Sequence, residues 1–342
     1  MDKGKKILVT GGAGYIGSHT VVELIESGYD PIIVDDFRNS SENAIQGISN
    51  ITGVAVQVFR IDICNENDVR KLFVDNQFEG VIHFAAYKSV SESVEKPLKY
   101  YENNIGGLIN ITKLAIEFNV QNFVFSSSCT VYGSPKESIT VDESTPFDVA
   151  FSPYGSTKQI GEKILDDIAN SGSNIRILKL RYFNPIGAHA SGEIGELPTG
   201  VPDNLLPYVM QTASGLREEI TVHGNDYNTN DGTCIRDYIH VVDLASAHVK
   251  GIDWLSNQKG GVIEAVNIGT GKGTSVLEII HIFEDKIQVK LNWKFGSRRP
   301  GDVEKINANV DKAKRVLNWT SKKSVEQAIL DAWKWEKKNN ND

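Results

Sequence analysis

Short apolar runs recur along the first half of the chain at regular intervals. Lys6-Ile7-Leu8-Val9-Thr10, Pro31-Ile32-Ile33-Val34, Val54-Ala55-Val56-Gln57-Val58-Phe59 and Val81-Ile82-His83-Phe84-Ala85-Ala86 each predict a strand. Phe123-Val124-Phe125 and Ile175-Arg176-Ile177-Leu178-Lys179-Leu180 continue the series. Helical patterns separate these runs, beginning with Ser18 to Ser27. Short apolar strands that alternate with helices predict an α/β fold, with a parallel sheet covered on both faces. His83 lies inside an apolar run and reads as a core histidine rather than a catalyst. After about residue 185 the rhythm fades, and Gly, Pro and Asn become frequent from Asn184 to Asn204. Shorter segments follow at Arg217 to His223, Thr233 to His240 and Ala265 to Gly269. We therefore expect one domain over residues 1–185 and a smaller, mixed α/β domain over residues 186–342, some of whose segments return to the first.

The first βα unit carries the strongest local signal. After the strand come Gly11-Gly12-Ala13-Gly14-Tyr15-Ile16-Gly17 and then the helical run. Gly11, Gly14 and Gly17 permit a tight turn, close backbone approach to a pyrophosphate, and close helix–strand packing. The helix N-terminus offers unpaired N–H groups to the phosphates. The second strand ends in Asp35-Asp36, with Asp35 18 positions beyond Gly17. That is where a Rossmann-type doubly wound sheet puts the carboxylate that binds the adenosine ribose. A carboxylate there repels a 2′-phosphate, which favours NAD over NADP, although Arg38 nearby leaves NADP open.

Composition narrows the class without choosing the chemistry. The chain has 342 residues, 40% of them hydrophobic and 23% charged, which describes an ordinary globular protein. A formal charge of −8 argues against a nucleic-acid binder. No apolar run approaches a membrane span, and the N-terminus lacks a signal-peptide pattern. Cys64, Cys129 and Cys234 form neither a disulfide framework nor a metal spacing, so no metal is expected and a reducing cytoplasm fits.

Ser152-Pro153-Tyr154-Gly155-Ser156-Thr157-Lys158 is the candidate chemical centre. Ser152 can cap a helix and Pro153 suits its first turn. Tyr154 and Lys158 then lie one turn apart on one face. A free tyrosine has a pKa of roughly 10, so bringing it near 7 takes roughly 4 kcal/mol of preferential stabilisation of the phenolate. An adjacent ammonium is one source, and it makes Tyr154 a candidate general base. Ser128 follows the strand at Phe123–Phe125 and can face the same crevice. In isolation it reads as a turn serine. With Tyr154, Lys158 and a dinucleotide it describes hydride chemistry at an alcohol carbon.

Several stretches in order carry a resemblance that runs essentially end to end. They are Thr10 to His19, Val81 to Ala85, Phe125 to Ser128 with Thr130-Val131-Tyr132-Gly133, Ser152 to Lys158, Arg181 to Pro185, and Arg236 to His240. The sequence resembles the UDP-glucose 4-epimerase family of extended short-chain dehydrogenases/reductases. The resemblance implies a homodimer that holds NAD and interconverts UDP-glucose and UDP-galactose through a 4-keto sugar. It casts Tyr154 as the base, Lys158 as the group that lowers its pKa and holds the nicotinamide ribose, and Ser128 as the group that positions the sugar hydroxyl. It adds Tyr15, Ile16, Asp35, Asp36, Asn39, Asp62, Ile63, Phe84, Lys88, Asn103 and Phe183 to the glycines as NAD-site residues. Asn184, Asn204, Leu205, Arg236, Arg299 and Asp302 would hold the UDP-hexose. Taken singly, Arg236 could equally be a structural partner of Asp237 or Asp243.

Two departures bear on substrate range. His223 stands where many relatives place a phenylalanine beside the uracil. Ile306 falls at the position that governs room for a 2-acetamido group, and its intermediate size leaves UDP-N-acetylglucosamine 4-epimerisation as an alternative. Another nucleotide-sugar epimerase or a decarboxylase is also possible. A 4,6-dehydratase is disfavoured, because Cys129-Thr130 replaces the Asp-Glu pair that such enzymes use to eliminate water. A non-catalytic NAD sensor on the same fold is disfavoured by the retention of Ser128, Tyr154 and Lys158.

Overall fold

A computed structural model describes residues 4–133, 140–299 and 302–339. The first half builds β1 (Lys6–Thr10), α1 (Tyr15–Glu26), β2 (Asp30–Asp35), β3 (Gln57–Arg60), β4 (Gly80–His83) and β5 (Asn122–Ser126). These five strands join Arg176–Tyr182 and Val262–Ile268 in one parallel sheet. Its order is β3, β2, β1, β4, β5, 176–182 and 262–268. The order reverses between β1 and β4, and ligands of open α/β sheets bind at such a switch point, beyond the carboxyl ends of the strands.

The alternation along β1 shows how the sheet is buried. Ile7 and Val9 join one core cluster with Val21, Val22 and Leu24 of α1 and Leu244 and Ala247 of the helix Val241–Ser256. Leu8 points to the other face, into a cluster with Leu108, Ile111 and Leu165. Each such side chain contributes about 1.5–3 kcal/mol by leaving water.

The segment expected at Ala265–Gly269 belongs to this large sheet, paired in parallel with Arg176–Tyr182 over Val262–Ile268. An apolar run shows strand character but not which sheet will receive it. The run expected over Thr233–His240 is two short strands, Ile235–Arg236 and Tyr238–His240, in different sheets. Asp237 breaks it. Its buried carboxylate accepts from the N–H groups of Thr270, Gly271 and Ala308 and from the Thr270 hydroxyl, which fixes the change of direction.

The remaining strands form a mixed four-stranded sheet and two parallel pairs. The former contains Thr274–Ser275, Ile235–Arg236, Lys305–Ala308 and Thr140–Val141. Their helices enclose a separate core that includes Val209, Met210, Phe283 and Ala328. The α/β class, with a doubly wound parallel sheet and a smaller mixed portion, is thus observed.

Three histidines are buried in the large sheet and its helices. Burial pushes His19 and His83 down to about 3 and His248 to about 4. His83 bonds the Thr10 hydroxyl through Nδ1 at 2.8 Å. His19 and His248 bond carbonyls one turn back on their helices. A histidine whose folded pKa is depressed contributes stability above its unfolded pKa of about 6.5, and loses it progressively as pH falls towards the folded value. Burial lowers His189 in the same sense, while Glu23, raised to about 7 by burial and by Glu26 and Asp243, acts in the opposite sense with the buried Asp35 and Asp237, whose ordinary values lie well below this pH range. The melting temperature should therefore fall between pH 7 and pH 5; a flat or rising profile over that range would contradict this.

Candidate active site

The dinucleotide end is shaped by glycine. Gly11 has a positive φ of 71°, and a Cβ there would lie 2.8 Å from the Ala85 nitrogen. A Cβ on Gly17 would lie 2.2 Å from the Gly11 carbonyl oxygen, so α1 can approach the turn only with glycine there. The helix begins at Tyr15, three residues before the sequence pattern placed it, because the glycine turn itself supplies its first turn. Gly14 precedes it, no side chain caps it and its first turn carries no acid. This leaves N–H groups that suit a pyrophosphate. The cradle and the donor set therefore fit a dinucleotide.

Around this cradle, Asp35 ends β2 and accepts from Ala13 N–H at 3.0 Å, Phe37 N–H at 2.9 Å and the Ser40 hydroxyl at 2.8 Å. Burial nevertheless holds its pKa above the usual carboxylate value. Asp36 accepts from the Arg38 N–H, and Asn39 is exposed in the same loop. Asp62 and Ile63 follow β3. Ile63 is buried in the core, and the Asp62 carboxylate is paired with Arg38. Phe84 follows β4 and packs on His248 with ring centroids 4.6 Å apart. Ile16 packs on the core from α1, and the Tyr15 hydroxyl donates to the Gly187 carbonyl at 2.6 Å. Asn103 sits in a π-helical turn and donates to Asn104 at 2.9 Å.

The chemical centre is built at the end of β5. The helix Pro153–Asn170 starts as its sequence predicts, with Ser152 Oγ accepting from Gly155 N–H at 3.2 Å. Ser128 caps the short turn Cys129–Tyr132, accepting from Thr130 N–H at 3.2 Å. Lys158, 5% exposed, donates to the Ser126 carbonyl at 2.6 Å, and its Nζ lies 5.9 Å from the Tyr154 ring centroid. Burial pushes the Tyr154 phenol well up, with the neighbouring Tyr182 adding to the rise and Ser128 opposing it. Burial also pushes the Lys158 ammonium down to about 8, against the pull of Glu162.

Glu162 was not legible in the sequence as a site residue. It is fully buried one turn beyond Lys158. It accepts from the Ser127 hydroxyl at 2.5 Å and from Arg181 Nε at 2.8 Å and Nη2 at 2.7 Å, and Lys179 lies 3.3 Å away. Burial alone would raise its carboxyl, but the Arg181 hydrogen bonds and charge, helped by Lys179 and Ser127, hold it below the ordinary value. Arg181 continues to the Tyr132 hydroxyl, which donates to Asn267 at 2.6 Å.

The remaining predicted residues are spread over several elements. Lys88, expected at the cofactor, pairs with Glu196 at 2.9 Å, and Asn204, expected at the substrate, donates to the same carboxylate at 2.8 Å. Leu205 begins the helix that Asn204 precedes. Arg299 grips Asp302 through Nε at 2.9 Å and Nη2 at 3.1 Å, with Arg236 3.4 Å from the same acid. Asp237 and Asp243 are committed to backbone N–H groups instead. Ile306 lies opposite Arg236 in the sheet, and it shares a buried cluster with Phe183, Val131 and Tyr132. Asn184 opens a strand beside Tyr238, and His223 bonds the Ser297 carbonyl at 3.1 Å. Among the described residues no cluster of metal ligands is present.

A switch-point crevice, a glycine-lined helix start and a serine, tyrosine and lysine at one strand end define an extended short-chain dehydrogenase/reductase. Residues 8–332 match the family described as GDP-mannose 4,6 dehydratase. A UDP-glucose 4-epimerase from Bacillus subtilis is 47% identical over 98% of this chain and 98% of its own. A UDP-glucose 4-epimerase from Stenotrophomonas maltophila, solved with NAD and formylated UDP-arabinopyranose, superposes with a TM-score of 0.95 at 44% identity, covering 98% of this chain and 99% of that one. One from Bifidobacterium longum, solved with NAD+ and UDP, gives 0.94 at 42% identity over 98% and 99%. The chain belongs to the UDP-glucose 4-epimerase family.

Glu162→Gln should destabilise the fold by about 3–5 kcal/mol, because it strands Arg181 in the interior. Urea unfolding measures this, and a loss below 1 kcal/mol would show the cluster to be dispensable.

Proposed function

We propose that this protein catalyses the reversible 4-epimerisation of UDP-glucose and UDP-galactose through a transient 4-keto sugar. The observation that carries the reading is the convergence of Ser128, Tyr154 and Lys158 at one strand end beside a glycine-built dinucleotide cradle. Bound NAD supplies a hydride acceptor and donor for the sugar's C4, and its oxidised ring adds positive charge that favours a phenolate nearby.

The chain's own groups do the rest. Tyr154 takes the proton from the 4′-hydroxyl and returns it when the keto group is reduced. Ser128 orients that hydroxyl. Lys158 stabilises the phenolate and holds the nicotinamide ribose. Gly11, Gly14 and Gly17 admit the pyrophosphate, Asp35 and Asp36 the adenosine ribose, and Asp62 and Ile63 the base. Tyr15, Ile16, Asn39, Phe84, Lys88, Asn103 and Phe183 complete the NAD set. Arg236 and Arg299 meet the UDP diphosphate, as guanidinium forks suit phosphate oxygens, with Asp302 aligning both. Asn184, Asn204 and Leu205 line the sugar and uridine side.

The Cys129-Thr130 pair supports epimerisation over the elimination in the matched family's description. Burial pushes the Cys129 thiol up to about 12, which leaves it neither acid nor base at neutral pH. UDP-N-acetylglucosamine is the second reading, motivated by the intermediate volume of Ile306 at the edge of the Arg236 strand.

In this reading residues 1–185, joined by the helix Val241–Ser256 and the strand Val262–Ile268, form the NAD-binding domain. The rest of 186–342 forms the UDP-sugar domain. We place the protein in the cytoplasm as a homodimer. The exposed side chains Val94, Leu98 and Ile160, on neighbouring helices, support a subunit interface there.

Purified protein given UDP-galactose and no added cofactor should form UDP-glucose. UDP-N-acetylgalactosamine tested beside it reads the width of the Ile306 pocket. Tyr154→Phe should keep bound NAD and lose turnover by about 10²–10⁴-fold, the usual worth of a general base. Lys158→Ala should lower both turnover and NAD retention. Near-normal conversion by Tyr154→Phe, or none by NAD-loaded wild type, would refute the proposal.

A further inference from the structure

Arg38 is an exposed residue of the loop after β2, yet each of its three guanidinium nitrogens has a partner. Nε lies 3.2 Å from the Asp36 carboxylate, Nη2 pairs with Asp62 beyond β3, and Nη1 donates to the Tyr87 hydroxyl beyond β4 at 3.2 Å. Tyr87 is itself held. Its backbone N–H and carbonyl both bond the Asn104 side chain, and the Lys99 ammonium sits 4.1 Å from its ring centroid. Asn104 in turn reaches Thr157 on the helix that carries Tyr154 and Lys158. One side chain therefore ties together the loops that follow three strands, at the edge of the sheet where the adenosine half of a dinucleotide lies.

The charges around Arg38 matter as much as its reach. A lone arginine after β2 is the expected partner of a 2′-phosphate. Here Nε, Nη1 and Nη2 face two carboxylates and a phenol, and the Lys99 ammonium beside Tyr87 is itself paired with Glu92 at 2.9 Å, so the bracket stays net negative. Such an arrangement does not welcome a further phosphate.

The geometry points to Arg38 as a positioning residue that straps the adenosine end of the site. It slows the release of NAD and is unavailable to NADP. This rests on the NAD reading above and adds to it the group that keeps the cofactor in place. With 44% of the Arg38 side chain exposed, solvent screening limits the strength of the strap, so the effect should be measurable but not total.

The test uses the full chain, loaded with NAD, and the half-time of NAD loss after dilution, followed by chromatography of the retained nucleotide. Arg38→Ala should shorten that half-time by about five- to tenfold, Tyr87→Phe by about twofold, and Arg38→Lys by an intermediate factor. NADP should bind Arg38→Ala no more tightly than it binds wild type. An unchanged half-time in Arg38→Ala overturns the strap. So does a variant that loses NADP affinity while NAD retention stays intact, since Arg38 would then read a 2′-phosphate. A matching fall in the melting temperature of the NAD-free variant would also overturn it, by marking the bracket as loop structure alone. Wild-type protein that neither carries nor binds NAD would defeat the proposed function itself, and the strap with it.

Discussion

The buried ion cluster around Glu162 is the constraint on which the site depends. A carboxylate with no exposure is costly unless its oxygens are filled, and here Arg181 fills them in a fork with Ser127 and Lys179 completing the shell. Ser127 directly follows β5, Arg181 and Lys179 lie on the adjoining strand Arg176–Tyr182, and Glu162 itself sits on the helix that carries Tyr154 and Lys158. Because Ser127 precedes Ser128, the cluster also fixes where the serine hydroxyl stands. Arg181 extends the tie through Tyr132 to Asn267, whose backbone N–H meets Glu143 at 2.6 Å. Helix, sheet and the small mixed sheet are thereby locked in one arrangement.

Above that foundation the site divides its work between a rigid cradle and an electrostatic balance. The cradle is steric, since any side chain at Gly11 or Gly17 would displace backbone. The balance is less obvious. Burial raises the Tyr154 phenol and lowers the Lys158 ammonium, so it favours the neutral form of each. In the proposed reaction a positive charge beside Tyr154 favours its phenolate.

Much of this was legible in the sequence because its signals are local. A strand, a glycine turn and a helix fall within a dozen residues, and Tyr154 and Lys158 are related by one helical turn. What escaped depends on partners far apart in the chain. Arg38 meets Tyr87 across 49 positions, and Glu196 meets Lys88 across 108. No periodicity encodes either contact. The carboxylate beside Arg236 was sought nearby, at Asp237 or Asp243, but both satisfy backbone N–H groups and Asp302 takes the role. Asp237 likewise splits the segment Thr233–His240 into two strands, because a buried carboxylate collecting four donors outweighs strand propensity.

In the proposed reaction the hydride leaves C4 of the sugar and comes back to it within one site. UDP-galactose deuterated at C4 measures this most directly, by mass spectrometry of the UDP-glucose formed. The account predicts that the deuterium is kept at C4, undiluted by solvent or by added NADH. Loss of the label to water would contradict it.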